Sequence, residues 1–168
     1  ILSFTQRTAM LIAFILMVSD TVIAPKYAKL WASNDLVSIR MLAVTSSRIL
    51  TLFAIPVFLL VIYFGPLFLG YFGIVGDEGY FVLIILAVGQ LFNTCTGSVG
   101  FLLNMTNHDA QYRNLIVISS CVSLVLVYLL SSLYGLMGAA AGVSITAIIQ
   151  NLMSVFFIRK YLGIWPVG

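Results

Sequence analysis

Gln90, Asn93, Gly97, Gly100 and Asn104 follow one another at intervals of three, four, three and four residues. On a helix that spacing lines them along one face. Leu91, Phe92, Phe101 and Leu102 supply bulk on the other faces. Amides among glycines can hydrogen-bond a polar solute in a watery cavity. The same stripe can instead let two helices approach closely, with the amides bonded across the contact. Both readings stay open for this segment. Gly138, Gly142, Thr146, Gln150 and Ser154 form a second row, and Gly138-Ala139-Ala140-Ala141-Gly142 is a literal G-x-x-x-G. Packing is the better reading there, with Gln150 and Asn151 as further cavity candidates.

Two charged residues stand among apolar ones. Asp20 is a candidate proton or cation site, set against a hydrated acid or a partner of a nearby Lys or Arg. Arg48 is a candidate for holding an anionic substrate group, set against anchoring to lipid phosphate.

Other chemistry is missing. Cys95 and Cys121 each sit in an apolar block and read as small buried packing residues. His108 is the only histidine, which excludes a histidine-pair metal site, and no metal or cofactor is expected. No G-x-S-x-G, phosphate-binding loop or H-E-x-x-H occurs, so an enzyme is poorly supported. Asn104-Met105-Thr106 fits a glycosylation acceptor but lies at an expected cytoplasmic edge.

The elements that must position these residues follow from composition. Of 168 residues, 62% are hydrophobic and 8% charged. A soluble domain carries about 25% charge, so lipid must be the solvent. Only helices and closed barrels satisfy their backbones in a bilayer. Barrel strands alternate apolar and polar residues, whereas Leu11 to Val18, Phe81 to Val88 and Leu124 to Leu130 are continuous apolar runs. The chain therefore reads as an all-α polytopic transmembrane bundle. Five spans are expected, near 8–24, 48–70, 80–104, 114–134 and 137–158. The first lacks the basic start and cleavage site of a signal peptide.

Charge sets the orientation. Lys26, Lys29 and Arg40 lie in the first join, Arg113 ends the third, and Arg159 and Lys160 lie in the tail. The second join carries Asp77 and Glu78 without a base, and the fourth is the turn Tyr134-Gly135-Leu136. Joins one and three and the tail are therefore expected in the cytoplasm, with Arg7 a mild exception. The net charge of +3 gathers there and reads as topology rather than nucleic-acid binding.

Asn34-Asp35 can cap a helix starting at Leu36. Leu36, Ile39 and Ala43 share a face, so a short amphipathic helix at the membrane surface is expected, feeding the second span. Tyr27 and Trp31 suit the interfacial belt. Pro56 predicts a kink in that span. The chain opens on Ile1, almost inside a span, and an odd number of spans suits half of a larger assembly. Residues 1–168 are thus expected to be one bundle within a longer protein.

Several of these motifs, taken in order, resemble a known family. They are Ala24-Pro25, Lys29-Leu30, Asp35, Arg48 and Pro56, then Leu69-Gly70-Tyr71-Phe72-Gly73, Leu83 to Leu86, Gly89-Gln90, Asn93 and Gly97. The Met105-Thr106 join, Arg113 and Gly135-Leu136-Met137-Gly138-Ala139-Ala140 complete the pattern. It is similar to the bacterial polysaccharide flippases of the multidrug and oligosaccharide exporter superfamily, over nearly the whole chain. The family usually has Gly after Met-Thr, where this chain has Asn107, the next most tolerant of a left-handed backbone. The resemblance implies the C-terminal lobe of a two-lobe, MATE-like exporter in a bacterial cytoplasmic membrane. It implies alternating access that carries a polyprenyl-diphosphate-linked oligosaccharide outward, for cell-surface polysaccharide or lipopolysaccharide. The partners would be that substrate, membrane lipid and the missing N-terminal lobe. A cation-coupled multidrug extruder of the same fold and a non-transporting membrane scaffold subunit are the alternatives.

Overall fold

The computed structural model describes residues 2–71 and 77–167 and contains no strand among them. The first helix, α1, runs from Leu2 to Ala32. It stops where Asn34 takes a left-handed φ of 56° and the Asp35 N–H turns back to the Leu30 carbonyl at 3.1 Å. Asp35 then caps α2 (Leu36–Tyr71), accepting the Ser38 N–H at 3.0 Å. Hydrogen bonds from the Ser38 side chain and backbone hold the Asp35 carboxyl below its usual range.

The cap at Leu36 is as expected, but the separate surface helix is not. Leu36 begins one continuous helix of 36 residues, about 54 Å long at the usual rise. No breaker lies between its cap and Pro56, so nothing ends a surface segment. Ile39 and Ala43 are buried in the bundle against α1 and later helices rather than laid on lipid, and Leu36 is exposed. The helix continues through both Pro56 and Pro66.

The third expected span is broken. Helix α3 (Asp77–Cys95) starts with Asp77 and Glu78 at its positive end. It stops before Thr96-Gly97-Ser98, where Gly97 has φ 72°, and the chain resumes as α4 (Val99–Met105). After α4, Asn107 adopts φ 67° and the His108 N–H closes the turn on the Leu103 carbonyl at 3.1 Å.

Helix α5 (Asp109–Leu162) is a hairpin in all but name. Gly135 has φ 58° and ψ −133°, a backbone combination essentially open only to glycine. A Cβ on Gly138 would overlap the Leu130 carbonyl oxygen, and one on Gly142 would sit 2.9 Å from the Val127 Cα. On a straight helix those residues would be about 12 and 22 Å apart. The outgoing arm (109–134) and the returning arm (136–162) therefore lie antiparallel, side by side.

Among the described residues α2, α3 and α5 are each long and apolar enough to cross a membrane. The protein is an all-α membrane protein. Its outer surface carries exposed Leu52, Phe53, Tyr63, Leu124 and Tyr128, as a lipid-facing or partner-facing surface requires. Cys121 is exposed on the outgoing arm and Cys95 is half-buried, so neither is the fully buried packing residue expected. The outgoing arm packs on one side only, which leaves Cys121 outside.

Candidate functional site

Two apolar clusters divide the bundle interior. One gathers Ile23, Tyr27, Ile39, Val99, Leu102 and Ile158 at the basic end. The other gathers Ile12, Ala54, Val61, Leu83, Leu86 and Ala140. On each element the polar residues fall between them. Asp20 lies between Ile12 and Ile23, Ser46 and Ser47 between Ala43 and Ala54, Asn93 to Ser98 between Ala87 and Val99, and Asn151 and Ser154 between Ala140 and Val155. A polar layer thus crosses the bundle between the two apolar clusters, about three turns in from its basic end, where such groups are costly unless partnered.

The break in the third span organises this layer. Ending α3 frees backbone carbonyls, and side chains take them up, as a membrane interior demands. Ser47 Oγ donates to the Cys95 carbonyl at 2.7 Å. Gly97 lies against Ser47, with space for a Cβ only 3.3 Å from the Ser47 Cβ. The Thr96 hydroxyl is shared between the Asn93 carbonyl at 2.8 Å and Asn151 Oδ1 at 3.1 Å. Asn151 Nδ2 donates to Asn93 Oδ1 at 3.0 Å and to the Ala147 carbonyl at 2.9 Å. Ser98, the last residue of the break, donates its hydroxyl to Asp20 Oδ1. No Lys or Arg pairs with Asp20 among the described residues.

Asp20 and Asn93 line one cavity of about 460 Å³, together with Leu16, Thr21, Ala24 and Phe101. Beside this layer Tyr27 is buried in the basic-end cluster, with Tyr112 packed against it. The site holds one carboxylate, amides and hydroxyls. It can take a proton or small cation at Asp20 and hydrogen-bond a neutral polar solute. No three His, Cys, Asp or Glu side chains converge as metal ligands among the described residues.

The sequence candidates separate here. Asp20, Asn93 and Asn151 come together, whereas Gln150, half-buried next to Asn151 in the chain, does not line the Asp20 cavity. Gln90 is half-buried and its carbonyl accepts from Thr94 at 2.9 Å, but its side chain does not line the Asp20 cavity. Arg48 is exposed and also lies outside that cavity. The stripe from Gln90 to Asn104 is not a single helical face, because the left-handed Gly97 re-aims everything after it. Gly100 lies under the Tyr112 phenol, which a Cβ there would overlap, and Asn104 is exposed. Ser47, Thr96 and Ser98 escaped sequence reasoning, and Tyr27, expected in the interfacial belt, is instead 1% exposed inside the basic-end cluster. The triplet Thr96-Gly97-Ser98, small and polar inside an apolar run, was the available signal of a break.

No family model matches the chain, and no curated protein or solved structure matches it.

Proposed function

We propose that the chain is one lobe of an alternating-access membrane transporter. Its substrate would be a polyprenyl-diphosphate-linked oligosaccharide, carried from the inner to the outer leaflet of a bacterial cytoplasmic membrane. The observation that supports transport is the broken third span, which presents Asp20, Ser98, Asn93 and Asn151 between the two apolar clusters. Interrupted helices are a usual way for membrane carriers to build a site from backbone and polar side chains. A scaffold subunit has no use for a carboxylate and an amide facing a cavity. The sugar-lipid substrate rests on the resemblance of the motifs, and a sugar's hydroxyls suit the amides and hydroxyls here.

One observation favours a second reading. Asp20 supplies a carboxylate to the cavity without a basic partner among the described residues, as a cation-coupled extruder of organic cations would need. Proteoliposomes holding the complete protein decide between them. Flipping of a fluorescent lipid-linked oligosaccharide that falls on Asn93→Ala supports the first reading. Efflux of an organic cation driven by a proton or sodium gradient, lost on Asp20→Asn, supports the second. A protein that moves neither and still assembles normally is a scaffold.

A further inference from the structure

A second polar place lies outside the layer around Asp20, at the basic end of the bundle. Arg40 from the second turn of α2 and Arg159 from the last turn of α5 line an open cavity of about 480 Å³, with Gly163, Ile164 and Trp165. The tail after α5 builds its wall. Gly163 caps α5 in a left-handed conformation (φ 66°), its N–H on the Arg159 carbonyl at 3.1 Å. Ile164, 7% exposed, then pins the tail into the apolar cluster of that end. Trp165 is thereby held where the Arg159 guanidinium lies 5.4 Å above its ring.

Neither guanidinium has a carboxylate partner among the described residues. The acid close to Arg40 in sequence, Asp35, caps α2 on the N–H of Ser38 and forms no ion pair with Arg40. Two unpaired guanidinium forks beside an indole form a cleft for a tetrahedral anion, because the fork matches phosphate oxygens two at a time. The carbonyl end of α5 repels an anion, and Arg159 in its last turn offsets that. Lys26, Lys29, Arg113 and Lys160 populate the same end, so the cleft opens on the cytoplasmic face by the distribution of positive charge. An indole at the interface suits headgroup depth.

We propose that Arg40, Arg159 and Trp165 form a phosphoryl-binding site at the cytoplasmic membrane surface, filled by the phosphate of an anionic phospholipid headgroup. The site is separate from the Asp20 cavity and stands whatever that cavity carries.

Trp165 reports on its own site. The chain has two tryptophans, so Trp31→Phe leaves Trp165 alone. The protein goes into bilayers of neutral phosphatidylcholine, with a brominated lipid added at equal mole fraction as either phosphatidylglycerol or phosphatidylcholine. Brominated phosphatidylglycerol is expected to quench Trp165 more strongly. Arg40→Gln with Arg159→Gln should lower that preference about thirtyfold, whereas Arg113→Gln, on the same face, should leave it. The preference should weaken as salt rises in the protein with both arginines intact, a measurement that needs no variant to fold. Inorganic diphosphate is the second probe. If it shifts Trp165 emission in purely neutral bilayers, and does so only with both arginines, the phosphoryl site stands with a soluble anion as its source. Equal quenching by the two lipids with no response to diphosphate overturns the proposal. So does a preference that survives loss of both arginines.

Discussion

Asn151 on the returning arm of α5 and Asn93 on α3 join amide to amide at 3.0 Å. They are 58 residues apart in the chain. Each also serves a turn of backbone, Asn151 through the Ala147 carbonyl and Asn93 by giving its own carbonyl to Thr96. The pair ties the helix that breaks to the helix that passes it. An interhelical hydrogen bond in a membrane is worth about 0.6 kcal/mol on average. Asn93→Ala should therefore lower thermal stability in detergent only slightly while cutting transport. Asn151→Ala should do the same, and the double variant should lose less stability than the two single losses summed. Transport at the unaltered rate in both would reduce the pair to packing.

Asp20 should tolerate one substitution and not another. In Asp20→Asn the side-chain oxygen still accepts from Ser98, so folding and abundance should hold. What disappears is the charge, so any dependence of transport on a proton or sodium gradient should go with it. Asp20→Leu leaves the Ser98 hydroxyl unpartnered and should lower abundance as well. Uptake assays at matched protein levels, with and without an imposed gradient, separate the two effects. A gradient response that persists in Asp20→Asn removes Asp20 from coupling.

Glycines in this bundle differ sharply in what they permit. Gly138→Ala drives a methyl into the Leu130 carbonyl, and Gly142→Ala presses on Val127 at 2.9 Å. Each should cost about 1–3 kcal/mol through overpacking and lower the amount of protein in the membrane. Gly97→Ala, at φ 72°, should cost about 1–2 kcal/mol and disturb the break itself. Gly70 is the contrast, since nothing lies within 4 Å of its absent Cβ. Gly70→Ala should be neutral or stabilising by about 0.4–1 kcal/mol. Melting temperatures of the four variants test the order.

Orientation is open to direct labelling. Single cysteines placed at Ser33 and Asp77, in a chain with Cys95 and Cys121 replaced, should react oppositely with an impermeant reagent added outside. Asp77→Cys should label and Ser33→Cys should not, because Ser33 lies among Lys26, Lys29 and Arg40. The reverse pattern would invert the bundle.

Much of the architecture was legible because its causes are local. Continuous apolar runs demanded helices, and Asn34-Asp35 announced the start of α2, whereas the first span, expected to end near residue 24, runs on through Pro25 to Ala32. Asn107 took the left-handed turn that its tolerance allows. The third span was misjudged for a physical reason. Glycine is common inside membrane helices, so Gly97 alone gives no warning of a break. What makes the break stable is a serine 48 residues before the carbonyl that the break exposes, since Ser47 satisfies Cys95. The surface helix failed similarly: periodicity marked Ile39 and Ala43 as one face but could not say whether lipid or protein would cover it. The candidate site was half visible. Asp20, Asn93 and Asn151 stand out as polar groups in apolar runs, whereas the contact between Asp20 and Ser98 spans 78 residues and leaves no local trace.

Because only Gly135 interrupts the two arms of α5, the ribosome delivers both to the membrane with no loop between them. A returning arm that carries Ser144, Thr146, Gln150, Asn151 and Ser154 is the costlier half to place in lipid alone. The outgoing arm, rich in exposed Leu and Val, enters readily and presents Val127 and Leu130 to Gly142 and Gly138 at once. Paired in this hairpin, the outgoing arm shelters the polar residues of the returning arm along one side.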